Sequence, residues 1–247
     1  MYMTKKILVT IMAALFAAVS LNAAAPVATA SPVTVSADAT YYTKFLNKGV
    51  VAFDDVIIAG ANINAYGFVL GLTTYNTIQD NTVGKKISES GLFKRLDTTL
   101  GYKFTAPLAN LTLGTTYSSY SKSVSNLAST NEPFALLDGK FFGRSTWDVK
   151  ARADLKAHTN NLEANVRLPF GFDKFKLVPS LGYGFNDPGA TTIAAFKDAK
   201  QYAVVGLGVG YYTKIATLNA GVFQRRDTLF TAGETVNGVS AGLAVKF

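Results

Sequence analysis

The stretch Trp147-Asp148-Val149-Lys150-Ala151-Arg152-Ala153-Asp154-Leu155-Lys156-Ala157-His158 alternates without a break. Every odd position is apolar and every even position is charged or histidine. On a helix the odd set would scatter around all faces. On a strand it makes one apolar face and one charged face. Twelve residues exceed the usual strand of a soluble domain and suit a strand tilted across a bilayer.

The period recurs along the chain. Leu162, Ala164, Val166, Leu168 and Phe170 share one face; Ala203, Val205, Leu207, Val209 and Tyr211 share another; Val239, Ala241, Leu243, Val245 and Phe247 close the sequence. Twelve such segments are expected, at 33–45, 54–64, 67–78, 92–104, 110–122, 132–141, 147–158, 161–171, 174–186, 200–212, 215–227 and 236–247. No linker or shift in composition divides them, so residues 31–247 read as one domain.

Composition sets the class of that domain. Of 247 residues 49% are hydrophobic and 16% charged, which excludes a disordered chain. There is no cysteine and one histidine, so thiolate or histidine-rich metal centres are excluded, and no cofactor is expected. Lys5 and Lys6, followed by the apolar run Ile7 to Val19 and a small-residue stretch, read as a signal peptide over residues 1–30. Cleavage after Ala30 or Ala23 fits its small residues. An exported chain without disulfides hides its apolar faces either in a soluble core or in a membrane.

The connections favour the membrane. Short ones are expected at Ala65-Tyr66, 106–109, 142–146, around Phe172-Asp173 and at Thr213-Lys214. Longer polar ones fall at 46–53, 79–91, 123–131, 187–199 and 228–235, and Thr159-Asn160 is an unexpectedly short turn among these. Short turns on one side and long loops on the other is the outer-membrane barrel pattern. Pairing parity puts Ile63 opposite Phe68, Phe104 opposite Leu111 and Tyr211 opposite Ala216, each pair apolar. Bringing Phe141 and Trp147 to one face requires an odd connection or a bulge. Phe68, Phe104, Phe141, Trp147, Phe170, Phe175, Tyr211 and Phe247 all fall on the apolar face near the short turns, as an interfacial aromatic girdle does. The fold class read here is therefore all-β: a closed antiparallel transmembrane barrel of about twelve strands in the bacterial outer membrane.

Two stretches carry a resemblance. Gly242-Leu243-Ala244-Val245-Lys246-Phe247 resembles the terminal strand signal of outer-membrane proteins, which implies the barrel-assembly machinery as a partner through Phe247. Ser36-Ala37-Asp38-Ala39-Thr40-Tyr41-Tyr42-Thr43-Lys44-Phe45-Leu46-Asn47-Lys48-Gly49 resembles the first strand of the TorF-type porins. These open with Ser-Ala-Asp-Val-Thr-Tyr and run into Ser-Lys-Tyr-x-x-Arg-Gly. Thr43, Phe45 and Lys48 here replace Ser, Tyr and Arg. Tyr66-Gly67-Phe68-Val69-Leu70-Gly71 and Leu100-Gly101-Tyr102-Lys103-Phe104 are similar to that family's second hairpin and fourth strand. The resemblance implies a small barrel of channel function.

If the apolar face meets lipid, the charges line the lumen. The expected pore-lining set is Lys103, Lys150, Arg152, Asp154, Lys156, Glu163, Arg167, Lys176 and Arg225. Asp38, Lys44, Arg95, Asp97, Asp138, Lys140, Asp148 and Lys246 point the same way, and together they carry an excess of five positive charges. A turn at Thr159-Asn160 puts Lys156 opposite Glu163 and Arg152 opposite Arg167, a candidate constriction. Rings of Lys and Arg favour anions.

The function read from the sequence is a channel for passive diffusion of small hydrophilic solutes, weakly anion-preferring. The alternative is a structural or adhesive barrel, plugged by its own charges and acting through its outer loops. Twelve strands fall between filled eight-stranded barrels and open sixteen-stranded porins, so size leaves both standing. Within the loops, 187–199 is the candidate for folding inward. A hydrolase would have to use His158 beside Asn160 and Asn161, yet no Gly-x-Ser-x-Gly orients a nucleophile. Nucleic acid is not expected as a partner, since the basic residues are interleaved with apolar ones rather than gathered into a patch.

Overall fold

A computed structural model describes residues 33–48, 50–77, 95–120, 129–141, 145–156, 158–171, 173–187, 201–226 and 235–247. The signal-peptide reading falls outside them. So does all but the first residue of the 187–199 loop expected to fold inward.

Twelve strands form one closed antiparallel barrel: β1 (Thr34–Asn47), β2 (Val50–Ala65), β3 (Phe68–Thr77), β4 (Arg95–Thr105), β5 (Ala109–Tyr120), β6 (Thr130–Phe141), β7 (Ser145–Asp154), β8 (Thr159–Arg167), β9 (Phe175–Asp187), β10 (Gln201–Tyr212), β11 (Ala216–Arg226) and β12 (Thr235–Lys246). Each pairs with its sequence neighbours, and β1 pairs with β12. Closure leaves no edge strand, so every strand finds backbone partners on both sides.

Period-two sequence becomes two faces. Leu70, Leu72, Leu100, Leu177, Leu181, Val205, Leu207, Val209, Val222 and Leu243 lie outward and exposed. Between them the inward positions carry Arg95, Asp97, Glu132 and Arg225, which are buried. A protein that buries its charges and exposes its leucines is built for an apolar surrounding.

The aromatics read as a girdle lie toward the short-turn end. Phe68, Phe104, Phe170, Phe175 and Phe247 are exposed at the short-turn end, and Trp147, Phe141 and Tyr211 are half-buried there. Phe175 packs on Tyr211 at 4.9 Å, and Tyr102 bridges Phe68 and Phe104 at 5.2 and 4.8 Å. A second belt is new. Tyr117 and Tyr183 are exposed near the opposite ends of β5 and β9, and Tyr41 lies outward on β1. On β9 the two belts stand eight residues apart, roughly 20 Å along the axis for a strand tilted by about 40°. That is close to the height of an outer-membrane barrel's apolar band.

Registers refine the sequence reading. Phe104 is opposite Leu111, as parity requires. Gly139 is opposite Trp147 and Phe141 opposite Ser145, so an odd connection of three residues brings Phe141 and Trp147 to one face. The first tight turn is Tyr66-Gly67 rather than Ala65-Tyr66. Both residues take positive φ, 52° and 87°, as a two-residue hairpin demands. Ile63 therefore faces Leu70, not Phe68, and Tyr211 faces Leu218, not Ala216; each keeps its apolar face.

Two corrections concern the long-loop end. The region 46–53 is not a loop: β1 and β2 run on until only residues 48–49 connect them. The β7 alternation overruns its strand. Leu155 and Lys156 are in a turn, the Asp154 carboxylate accepts from the Lys156 backbone N–H at 3.0 Å, and His158 turns the chain with φ 54°. Thr159-Asn160, expected as the turn, is the start of β8.

Candidate pore and its constriction

Alternation in β4 places Arg95 and Asp97 side by side on the inward face. The guanidinium grips the carboxylate at both oxygens, Nε to Oδ1 at 2.6 Å and Nη2 to Oδ2 at 2.7 Å. Tyr75 on β3 donates to the same carboxylate at 3.0 Å, and Ser118 on β5 accepts from Arg95 at 3.1 Å. The guanidinium lies over the Tyr75 ring, 4.9 Å from its centroid. This pair is buried and fully engaged in the wall.

The β7–β8 register pairs Lys150 with Glu163, Arg152 with Asn161 and Asp154 with Thr159. This corrects the constriction expected from sequence. Lys156 is exposed in the turn and is not opposite Glu163, and Arg152 is not opposite Arg167. Because the turn lies at 155–158, the pairing slips by whole pairs and keeps its faces but changes its partners. Arg152 reaches Glu163 diagonally at 2.7 Å and donates to Asn161 at 2.9 Å. Arg167 instead bonds Asp148 at 2.6 Å. The like-charge contact does not arise, since each arginine has its own carboxylate.

What crosses the lumen is the tip of the first hairpin. Opposite Thr43, Asp55 takes φ 44°, and the register shifts between Phe45 and Leu46. From there the hairpin leans inward. Phe45 and Phe53 pack on Tyr75, with centroids at 5.4 and 5.7 Å, over an interior cluster of Val56 and Ile58. The Lys48 ammonium meets Glu132 of β6 at 2.9 Å, both buried. Asn186 of β9 donates to the Lys48 carbonyl at 2.7 Å, and Arg152 donates to Asn47 at 3.2 Å. Asn161 donates to Asn186 at 2.8 Å, so β7, β8 and β9 hold the tip through one connected network. Tyr202 joins it by donating to Glu163.

Toward the short-turn end the interior is looser. Lys103 stands 3.9 Å from Asp138, which also accepts from Asn110 at 2.7 Å. Lys176 sits over the Tyr212 ring at 4.2 Å. Nearer the hairpin tip, Lys150 lies over Phe134 at 4.9 Å.

Open spaces lie around the hairpin tip and below it. One of about 320 Å³ is lined by Tyr75, Arg95, Asp97, Glu132, Lys150 and Arg152. A second, about 360 Å³, is lined by Tyr42, Lys44, Arg167, Tyr202, Val204 and Phe223. Both also touch Phe45, Leu46 and Glu163, so the hairpin end divides the upper lumen in two. A third, about 390 Å³, shares Arg167 and Phe223 with the second and continues along Ser180, Gly206, Gly208 and Gly210.

Of the remaining sequence-read residues, Arg225 is buried and inward on β11, and Asp154 is inward at the end of β7, where Thr130 donates to it. His158 is exposed in its turn. The reading missed Asp54, Lys48 and Glu132. Glu132 has the parity of Asp138 and Lys140 on the same strand, so counting back by twos would have found it; Asp54 faces Lys44 at 3.0 Å. With these added and Lys156 removed, the inward charges of the described residues keep an excess of three positive charges rather than five.

A closed antiparallel barrel of twelve strands, apolar outside and polar within, with an element drawn across its lumen, has the fold of the outer-membrane porins. Solved structures place it more narrowly. A KdgM porin superposes with a TM-score of 0.55 over 86% of this chain and 99% of that one, at 12% identity. A NanC porin gives 0.52 over 86% of this chain and 100% of that one, at 10% identity. A KdgM porin in complex with disordered oligogalacturonate gives 0.52, at 11% identity. No protein-family model matches the sequence, and no curated protein matches it.

Proposed function

We propose that this protein is an outer-membrane channel for passive diffusion of small hydrophilic solutes, with a weak preference for anions. Interior spaces of about 320, 360 and 390 Å³, bordered by Lys150, Arg152 and Arg167, inside a barrel whose outside is apolar carry this reading. An interior that served only stability would be filled, as smaller barrels are. The positive excess of the lumen supports the anion preference. The oligogalacturonate of one structural neighbour is an anionic solute, which makes small acidic saccharides reasonable first probes. The first-strand likeness to TorF-type porins agrees with a channel. A signal peptide within residues 1–30 would deliver the chain for export, and Phe247, exposed at the end of β12, would present the terminal signal to the assembly machinery. The test is planar-bilayer recording of purified protein: steady unitary currents and a reversal potential displaced toward the anion in asymmetric KCl. Ohmic silence over many insertions would refute the channel.

One observation favours the second reading, a closed barrel acting through its outer loops. The hairpin tip and six ion pairs among the described residues occupy much of the interior. The same recordings separate the two.

A further inference from the structure

We infer that the tip of the β1–β2 hairpin is the size filter of this channel, and that the Lys48–Glu132 ion pair is its latch. The inference rests on the channel reading above. It assigns the filter to a segment that the sequence presents as an ordinary connection.

Three observations converge on it. First, the hairpin departs from a plain ladder below its turn. Asp55, a mid-strand residue that is not glycine, takes left-handed backbone with φ 44°, and the register shifts between Phe45 and Leu46. Such conformations persist where surrounding contacts impose them, and they gather at functional elements. Second, the contacts that hold the tip come from the far wall. Lys48 reaches a strand 84 positions along the chain, and Asn186, 138 positions along, holds its carbonyl. A hairpin needed only for barrel closure would point along the axis and contact its neighbours. Third, the tip lies between the two upper spaces, both of which touch Phe45 and Leu46. Moving the tip out would merge them.

The latch has a physical reason to be this pair. Both charges are buried, and each compensates the other's loss of hydration. Neutralising one leaves the other stranded in a poorly hydrated place, and the tip can relieve this by swinging toward water. The aromatic contacts of Phe45 and Phe53 lie further down the hairpin and leave its base in place.

The experiment uses the full-length barrel in planar bilayers, with polyethylene glycols of graded size as probes of the cut-off. Lys48→Glu and Glu132→Lys each place like charges together. Each should raise unitary conductance about two-fold, since one divided lumen becomes one space, and should admit larger polymers. The double exchange, Lys48→Glu with Glu132→Lys, restores the pair and should restore both the narrow conductance and the small cut-off. Heat-modifiable gel mobility identifies folded protein. Should a single variant fail to fold, Lys48→Ala replaces it, since it removes the cation without adding a like charge, and the same widening is expected. Folded single variants with wild-type conductance and cut-off, in a conducting wild type, overturn the filter and leave the channel standing. A silent wild type whose latch variants conduct supports the tip as the obstruction. Silence of every form overturns the channel reading and this inference together.

Discussion

Phe223 on β11 lies flat against Gly238, the residue directly opposite it on β12; a Cβ added at 238 would come within 2.1 Å of the ring. The arrangement repeats. Tyr202 covers Gly184 and Phe134 covers Gly114, each pair again in direct register. Glycine opposite an inward aromatic lets the ring lie along the wall rather than across the lumen.

Gly238→Ala should therefore tilt Phe223 off the wall and into the space beside Arg167. The expected cost is about 1–3 kcal/mol from overpacking, with reduced unitary conductance. Gly208→Ala is the control, because its added Cβ meets nothing nearer than 3.6 Å. It should fall within about 0.5 kcal/mol of wild type. Urea unfolding in lipid vesicles together with bilayer recording checks both. Equal effects at 238 and 208 would remove the ring from its assigned role.

The outward face can be tested against the inward one on a single strand. Leu207 is exposed on the outside of β10, and Val204 lines the second space. Leu207→Arg should cost about 2–4 kcal/mol if that face meets acyl chains near mid-bilayer. Val204→Arg should cost about 1 kcal/mol or less and strengthen the anion preference. The reverse order of costs in vesicle unfolding would mean that the leucine side packs against protein.

Arg152 and Arg167 divide structure from selectivity. The Arg152 side chain is 15% exposed and bonded to Glu163, Asn161 and Asn47; Arg167 is 49% exposed and stands between the second and third spaces. Arg152→Gln should destabilise by about 3 kcal/mol, because it leaves Glu163 without its cation. Arg167→Gln should leave stability within about 1 kcal/mol and move the reversal potential toward cations. Equal selectivity shifts in the two variants would contradict this division.

The strand count and the two faces are legible because a half-buried sheet writes a period of two into sequence, and a one-residue slip would put charges into lipid. The same periodicity carries no information on where a strand stops when the turn continues the pattern. Leu155, Lys156 and His158 do this, so the β7–β8 pairing was displaced and a like-charge constriction was expected where Arg152 and Glu163 in fact pair. The hairpin tip was illegible for another reason. Its path is set by Glu132, Arg152 and Asn186 on remote strands, and no local feature of Asn47-Lys48 records them. The pairing of inward aromatics with glycines is in principle readable, but only after the register is known.

The Arg95–Asp97 pair tests whether interior charges serve the wall or the pore. Both residues are 6% exposed, and Asp97 accepts from Arg95 twice and from Tyr75. Asp97→Ala strands a buried guanidinium and should destabilise by about 3–5 kcal/mol. Tyr75→Phe removes one hydrogen bond and keeps the ring beneath Arg95, so about 1 kcal/mol is expected. Replacing both charges, Arg95→Met with Asp97→Leu, should recover most of the loss, since an apolar pair has no desolvation to offset. Unitary conductance should change little in the folded double variant. Conductance that rises with the double replacement while stability stays low would place this pair in the conducting path instead of the wall.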